Sequence, residues 1–144
     1  MPVSISSAVR RRLIEDAAMT PDAEICGLLF GTAASIESVL GCRNVAPDPA
    51  TGFEIDPAAL LAAHRAARQG GPAIIGHYHS HPRGSAIPSA RDAAAAHGDA
   101  MLWLVIAADD LRLWRAAIGG SHLGAFEPVP LRGGAACANG PASP

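Results

Sequence analysis

Lysine is absent from the chain, and all 11 basic residues are arginine. With 13 acidic residues the formal net charge is −2, so there is no positive surplus that would favour nucleic acid or an anionic membrane as partner. Charged residues make up 17% of the sequence and hydrophobic residues 49%, which argues against a disordered chain. The 144 residues are enough for one globular domain with a substantial core.

Cysteine and long apolar runs are also scarce. Cys26, Cys42 and Cys137 are an odd number of thiols without C-x-x-C spacing. This pattern argues against a disulfide framework and a cysteine-based zinc site, and it favours a reducing compartment. No run approaches the roughly 18 apolar residues of a membrane span, and the first residues do not have the pattern of a signal peptide. We therefore expect a cytoplasmic protein.

Apolar periodicity and turn residues predict helices interspersed among strands, which is typical of an α/β or α+β sandwich. Strands are expected at 3–5, 25–31, 35–42, 101–107, 111–118 and 127–131, with a central one over the run 73–75 and the histidines after it; helices are expected at 8–19, 57–69 and 89–97. From residue 133 the chain is rich in glycine, alanine and proline, which predicts a disordered C-terminal tail over 133–144.

Three histidines, His77, His79 and His81, alternate with other residues directly after the apolar run. In a strand this alternation places all three on one face. Neutral imidazole is the commonest metal ligand in proteins, so the pattern fits a zinc site, and it fits a polar strand end equally well. Isolated histidines are usually surface or satisfied core residues, and we interpret His64, His97 and His122 in that way.

Two carboxylates are candidates to complete such a site. Ser89-x-x-Asp92 is a capping box, which stabilises a helix start by about 1 kcal/mol and explains this pair without any chemistry. The first turn of a helix is also a rigid place from which Asp92 can reach a metal. Glu24 opens an apolar strand, so it lies either at the surface or where a function requires it, because an unpaired buried carboxylate is costly.

Together, three separated segments resemble the JAMM motif of the catalytic MPN-domain zinc metalloproteases, which include deubiquitinating enzymes and bacterial relatives. The segments are E-I-C-G-L-L-F-G from Glu24, then His79-Ser80-His81-Pro82, then, after six intervening residues, Ser89-x-x-Asp92. The resemblance extends from about residue 3 to residue 131. It implies one JAMM/MPN domain over 1–132, built as a single-domain α/β/α sandwich with a central mixed β-sheet and a cytidine-deaminase-like core.

The resemblance also implies roles for individual residues. His79, His81 and Asp92 would hold one Zn²⁺ per chain, with a water as the fourth ligand. Glu24 would be the general base on that water, and the Ser89 hydroxyl would stabilise the tetrahedral oxyanion. His77 matches no ligand position of the motif, and it is expected to support the ligands from behind or to line the substrate groove.

The short chain and its short 83–88 loop are similar to the compact stand-alone bacterial members. The resemblance therefore implies hydrolysis of a peptide or isopeptide bond at the C-terminal Gly-Gly tail of a ubiquitin-like or sulfur-carrier protein, held by strand addition. The alternative is a non-catalytic MPN-type scaffold that only binds partners. Such members typically lack a ligand residue, whereas this chain has the complete set. A zinc nucleobase deaminase would need a P-C-x-x-C pair, which this sequence lacks.

Overall fold

The computed structural model describes residues 2–133, so Cys137 and the tail predicted over 133–144, apart from its first residue, lie outside the described residues. The elements follow the chain in this order: β1 (Val3–Ile5), α1 (Ser7–Ala18), β2 (Cys26–Thr32), β3 (Ser35–Cys42), α2 (Pro57–Arg68), β4 (Ile74–Ser80), α3 (Ala90–Ala95), β5 (Leu102–Ala107), β6 (Asp110–Gly120), β7 (Gly124–Val129) and β8 (Leu131–Arg132).

All eight strands form one sheet in the order β7-β6-β5-β4-β2-β3-β1-β8. The pairs β4–β5, β1–β3 and β1–β8 are parallel and the other pairs are antiparallel, which confirms the predicted mixed sheet. β4 lies in the middle, hydrogen-bonded to β2 on one side and to β5 on the other. The histidine-bearing strand is therefore an interior strand, supported on both sides.

The helices cover the two faces of the sheet, as the sandwich prediction requires. Leu13 of α1 packs with alternate residues of the central strands, including Tyr78 and Leu104, in the larger core on one face. On the other face Ala63 of α2 packs on Leu28. On the same face α3 covers a cluster that contains Trp103, Val105, Ala107, Trp114 and Phe126. This second face is the one that carries His77 and His79, because His77 pairs in register with Trp103.

Helix starts follow the sequence signals closely. The Ser6 hydroxyl accepts a hydrogen bond from Val9 N at the start of α1, and Asp56 caps α2 with Pro57 in the first turn. The expected end of α3 near residue 97 was wrong: the backbone of Ala96 is extended and Gly98 has a positive φ of 64°. The helix ends early because the chain must turn there to enter β5.

The last strands also differ from the prediction of one extended piece over 127–131. β7 pairs with β6, and after Pro130 the chain continues as β8 beside β1, at the opposite end of the strand order. Since a single residue separates β7 from β8, the two edges of the sheet approach each other there and the sheet curls around the α1 face. Among residues 2–133, no helix is long and apolar enough to cross a membrane.

Candidate active site

His79 lies near the end of β4 with its side chain fully buried. The strand ends at Ser80, and the backbone N–H of His81 donates to the carbonyl of Ile106 on β5. This bond keeps His81 beside the sheet although the strand is over. The two imidazoles then converge, with their Nε2 atoms 3.1 Å apart.

Asp92 reaches the same place from the first turn of α3. Its Oδ2 lies 3.0 Å from His79 Nε2 and 3.2 Å from His81 Nε2, and it also accepts a hydrogen bond from Ser89 N at 2.9 Å. The Ser89 hydroxyl accepts in return from Asp92 N at 3.1 Å, so the capping box is formed. One carboxylate therefore both fixes the helix start and joins the histidines.

Three atoms, His79 Nε2, His81 Nε2 and Asp92 Oδ2, form a nearly equilateral triangle with sides of 3.0–3.2 Å. Ligand atoms bound to tetrahedral zinc at about 2.0–2.2 Å stand about 3.3 Å apart, so the triangle fits three ligands of one zinc ion. His81 Nδ1 lies 2.8 Å from the carbonyl oxygen of Ser85. Because only an N–H can donate to that carbonyl, this contact assigns the proton to Nδ1 and turns the Nε2 lone pair toward the triangle.

Glu24 lies two residues before β2, the strand that pairs with β4. Its carboxylate and the ring nitrogens of His79 and His81 lie within 4.8 Å of one another. The residue is 7% exposed, and its Oε1 has no hydrogen-bond partner among the described residues. Burial raises the pKa of Glu24 to about 7, with His81 lowering it and Asp92 raising it in part. A carboxyl group with this pKa can both accept and release a proton near neutral pH.

Asp92 and His79 have the charge states that a bound cation requires, a carboxylate and a neutral imidazole. Burial by itself would raise the pKa of Asp92, but the close contacts of its carboxylate with the His79 and His81 rings outweigh burial and hold the pKa well below its usual range. Burial lowers the pKa of His79, which keeps that ring neutral. Burial also pulls down the pKa of His81, yet the contacts with Asp92 and with the Ser85 carbonyl outweigh it and raise the pKa.

His77 shares the face of His79 but belongs to an aromatic layer and not to the triangle. The edge of its ring meets Trp103 with centroids 4.4 Å apart, and Phe53 stacks on His79 with centroids 4.3 Å apart. Burial lowers the pKa of His77 to about 4, so this ring is neutral. His77 thus packs in the aromatic layer beside the candidate ligands, and its part in the chemistry stays a prediction.

A cavity of about 390 Å³ adjoins the triangle at Asp92. Its walls come from α2, α3, β4 and β5 and from the segment before α2, and they include Phe53, Ile55, Leu60, His77, Arg91 and Trp103. His97, which we interpreted as an ordinary histidine, lines it too. Phe53 and Trp103 were missed by the sequence reasoning, because only the strand register brings them beside the histidines.

The segment from Phe53 to Asp56 presents an unoccupied backbone edge beside this cavity. Glu54 O accepts from Val45 N at 2.9 Å, and Asp56 N donates to Arg43 O at 3.0 Å, so these groups face residues 43–45. Backbone groups alternate in direction along an extended chain, so those of Phe53 and Ile55 face the other way. No hydrogen bond to them is found among residues 2–133.

Fold and site together define a JAB/MPN-domain protein with the residues of a JAMM-type peptidase. A family model described as prokaryotic homologs of the JAB domain matches residues 6–117, and the chain belongs to this family. Among solved structures, a protein from Desulfitobacterium hafniense covers 91% of this chain and 92% of its own with a TM-score of 0.75 and 22% identity. A JAB1/MPN domain protein from Archaeoglobus fulgidus covers 91% and 98% with a TM-score of 0.56 and 16% identity. At these identities the likeness is one of fold.

Curated relatives are more similar in sequence. A desampylase from Haloferax volcanii is 34% identical over 97 residues, which cover 66% of this chain and 70% of that protein. A probable TtuB-protein conjugate cleaving protease from Thermus thermophilus is 42% identical over 64 residues, 44% of this chain and 43% of that protein. A desampylase from Pyrococcus furiosus is 34% identical over 83 residues, 58% and 59% respectively. The chain thus matches between 43% and 70% of the length of these relatives.

Proposed function

We propose that this chain is a zinc-dependent peptidase or isopeptidase that cleaves at the C-terminal Gly-Gly tail of a ubiquitin-like or sulfur-carrier protein. The observation that carries this proposal is the triangle of His79 Nε2, His81 Nε2 and Asp92 Oδ2 with the buried Glu24 carboxylate beside it. The relatives named for desampylation and for cleavage of TtuB–protein conjugates support a ubiquitin-like conjugate as substrate.

His79, His81 and Asp92 would hold the zinc ion, and three protein ligands leave one position open. When bound there, zinc would supply Lewis acidity and would lower the pKa of a water ligand toward about 7. Glu24 takes a proton from the attacking water as the new C–O bond forms and delivers it to the leaving amine as the C–N bond breaks. The raised pKa of Glu24, about 7, fits a group that must do both.

The Ser89 hydroxyl would stabilise the oxyanion of the tetrahedral intermediate. Its oxygen accepts the Asp92 N–H, which leaves its own proton free to donate. Ser89 is exposed at the start of α3, one helical turn from the ligand Asp92. The capping bond fixes the position of the oxygen and so pre-orients this donor.

Strand addition along Phe53–Ile55 would hold the tail. The free N–H and C=O groups of Phe53 and Ile55 offer an extended peptide a row of backbone partners. Phe53 stacks on His79, so a tail paired there ends beside the candidate metal ligands. A Gly-Gly end suits this place because it adds no side chains between the edge and the ligands.

The test is cleavage of a defined carrier. Zinc-loaded protein is incubated with a ubiquitin-like carrier extended past Gly-Gly, either by a linear peptide or through a lysine side chain, and the products are read by mass. We expect release of the carrier ending in Gly-Gly. Glu24→Gln should bind zinc yet lose cleavage by at least about a hundredfold, since a general base contributes 10²–10⁴-fold. Unchanged cleavage by Glu24→Gln contradicts the mechanism.

The unpaired thiols of Cys26 and Cys42 in the described part of the chain support a reducing, cytoplasmic setting for this enzyme.

A further inference from the structure

Asn44, between β3 and α2, uses every hydrogen-bonding position of its side chain. The Nδ2 group donates to the carbonyl oxygens of Glu24 at 2.9 Å and of Gly52 at 3.0 Å. The Oδ1 atom accepts from Ala46 N at 3.0 Å and from Glu54 N at 3.1 Å. Two donors and two acceptor positions are all that an amide offers, so this half-buried side chain is saturated.

These four bonds join two parts of the site that are far apart in sequence. One bond goes to the main chain of Glu24, whose carboxylate lies beside His79 and His81. Another goes to Glu54, which stands between Phe53 and Ile55 on the free backbone edge. A single side chain therefore connects the main chain at Glu24 to the backbone edge beside the cavity.

We propose that Asn44 is a positioning residue of this reaction: it holds the general base Glu24 and the tail-binding edge Phe53–Ile55 in one frame. The inference rests on the proposed function. Because the base and the tail must approach the same reacting carbonyl, a small change in their separation affects both binding and proton transfer. Misplacement by about 1 Å can cost about a hundredfold in rate.

The test compares Asn44→Ala with Asp48→Ala. The Asp48 side chain accepts from Ala50 N and from the Thr51 hydroxyl in the same loop, so its removal costs two hydrogen bonds of that loop, against four for Asn44, and touches neither Glu24 nor Glu54. Zinc content, kcat and KM on an extended carrier are measured, together with Kd for the carrier that ends in Gly-Gly. Asn44→Ala should keep zinc, lower kcat about ten- to a hundredfold and raise Kd about tenfold. Asp48→Ala should leave kcat and Kd near the wild-type values.

Asn44→Asp distinguishes the hydrogen bond to Glu24 from the hydrogen bond to the Phe53–Ile55 edge. The variant keeps acceptors for Ala46 N and Glu54 N but loses the donors to Glu24 O and Gly52 O. We expect kcat to fall while Kd for the tail stays near the wild-type value. This variant decides the question if Asn44→Ala fails to fold, and a wild-type kcat in Asn44→Asp then overturns the proposal.

Equal losses of kcat in Asn44→Ala and Asp48→Ala would also overturn it, as would a change in melting temperature alone. If the wild-type protein cleaves no tail but binds one, the proposed function fails, and the Kd values then decide the role of Asn44. A weaker Kd in Asn44→Ala than in Asp48→Ala supports that role, and equal Kd values overturn it. If the wild-type protein neither cleaves nor binds a tail, both inferences are overturned.

Discussion

Phe53 stacks on His79 with ring centroids 4.3 Å apart and ring planes 18° apart. The two residues come from different segments: Phe53 precedes α2, and His79 lies near the end of β4. The Phe53 ring packs against one face of the His79 imidazole and places the free backbone edge next to the triangle. Packing of the aromatic layer and geometry of the candidate metal site are therefore linked.

Phe53→Ala should weaken zinc binding about three- to tenfold, because an aromatic pair contributes about 0.5–1.5 kcal/mol beyond its buried area. The measurement is competition for zinc with a chelator of known affinity. Phe53→Tyr, which keeps the ring, is the matched control and should bind zinc as the wild-type protein does. Equal zinc affinity in Phe53→Ala and Phe53→Tyr would show that the stack does not orient His79.

Substitutions of the two capping-box residues should have different effects on stability and on zinc binding. Ser89→Ala removes the cap of Asp92 N and should lower the free energy of unfolding by about 1 kcal/mol while zinc stays bound. Asp92→Ala removes the cap of Ser89 N and also the carboxylate shared by both imidazoles, so zinc should be lost. Urea unfolding and the zinc content per chain measure the two effects. Loss of zinc in Ser89→Ala would mean that the cap, and not Asp92 itself, holds the site together.

Glu24 should make the stability of the metal-free protein depend on pH. The pKa of Glu24 is raised from 4.5 to about 7 in the fold, chiefly by burial, so between these values the folded state binds more protons than the unfolded state. The contribution of Glu24 to the free energy of unfolding is therefore fully present below pH 4.5, and it is lost as the pH rises through 7.

Glu24→Gln cannot ionise and should escape this loss. Relative to the wild-type protein, the variant should gain about 1–3 kcal/mol as the pH rises through the window and keep that gain above it. Chemical unfolding of both metal-free proteins across the window gives the difference. Parallel pH profiles would mean that the Glu24 carboxylate is no more costly to ionise in the fold than in the unfolded chain.

Strand addition predicts an alternating response to N-methylation of the tail. Only every second residue of an extended peptide directs its N–H toward a given edge, here the groups of Phe53 and Ile55. N-methylation at those positions should weaken binding of the carrier about tenfold, while methylation at the positions between should be tolerated. A set of carriers methylated at one residue each, with Kd measured for each, gives the pattern. A uniform effect along the tail would argue against this edge.

Much of the fold was predictable because its signals are local. Ser6 and Asp56 with Pro57 marked the helix starts, and apolar residues between turn residues marked β3 over 35–42, the bounds that the structure has. The end of α3 and the division of β7 from β8 were not predictable in this way. Both depend on where the next strand pairs, which no short window of sequence contains.

The sequence by itself determined the residues of the candidate site and their spacing: Glu24, His79, His81, Ser89 and Asp92 all belong to short motifs. Only the tertiary structure decided that His77 turns into an aromatic layer with Phe53 and Trp103, and that Asn44 joins Glu24 to the edge beside the cavity. The physical reason is that a motif records constraints within a few residues. Contacts such as the stack of Phe53 on His79 depend instead on sheet register and loop packing, which are set by the whole domain at once.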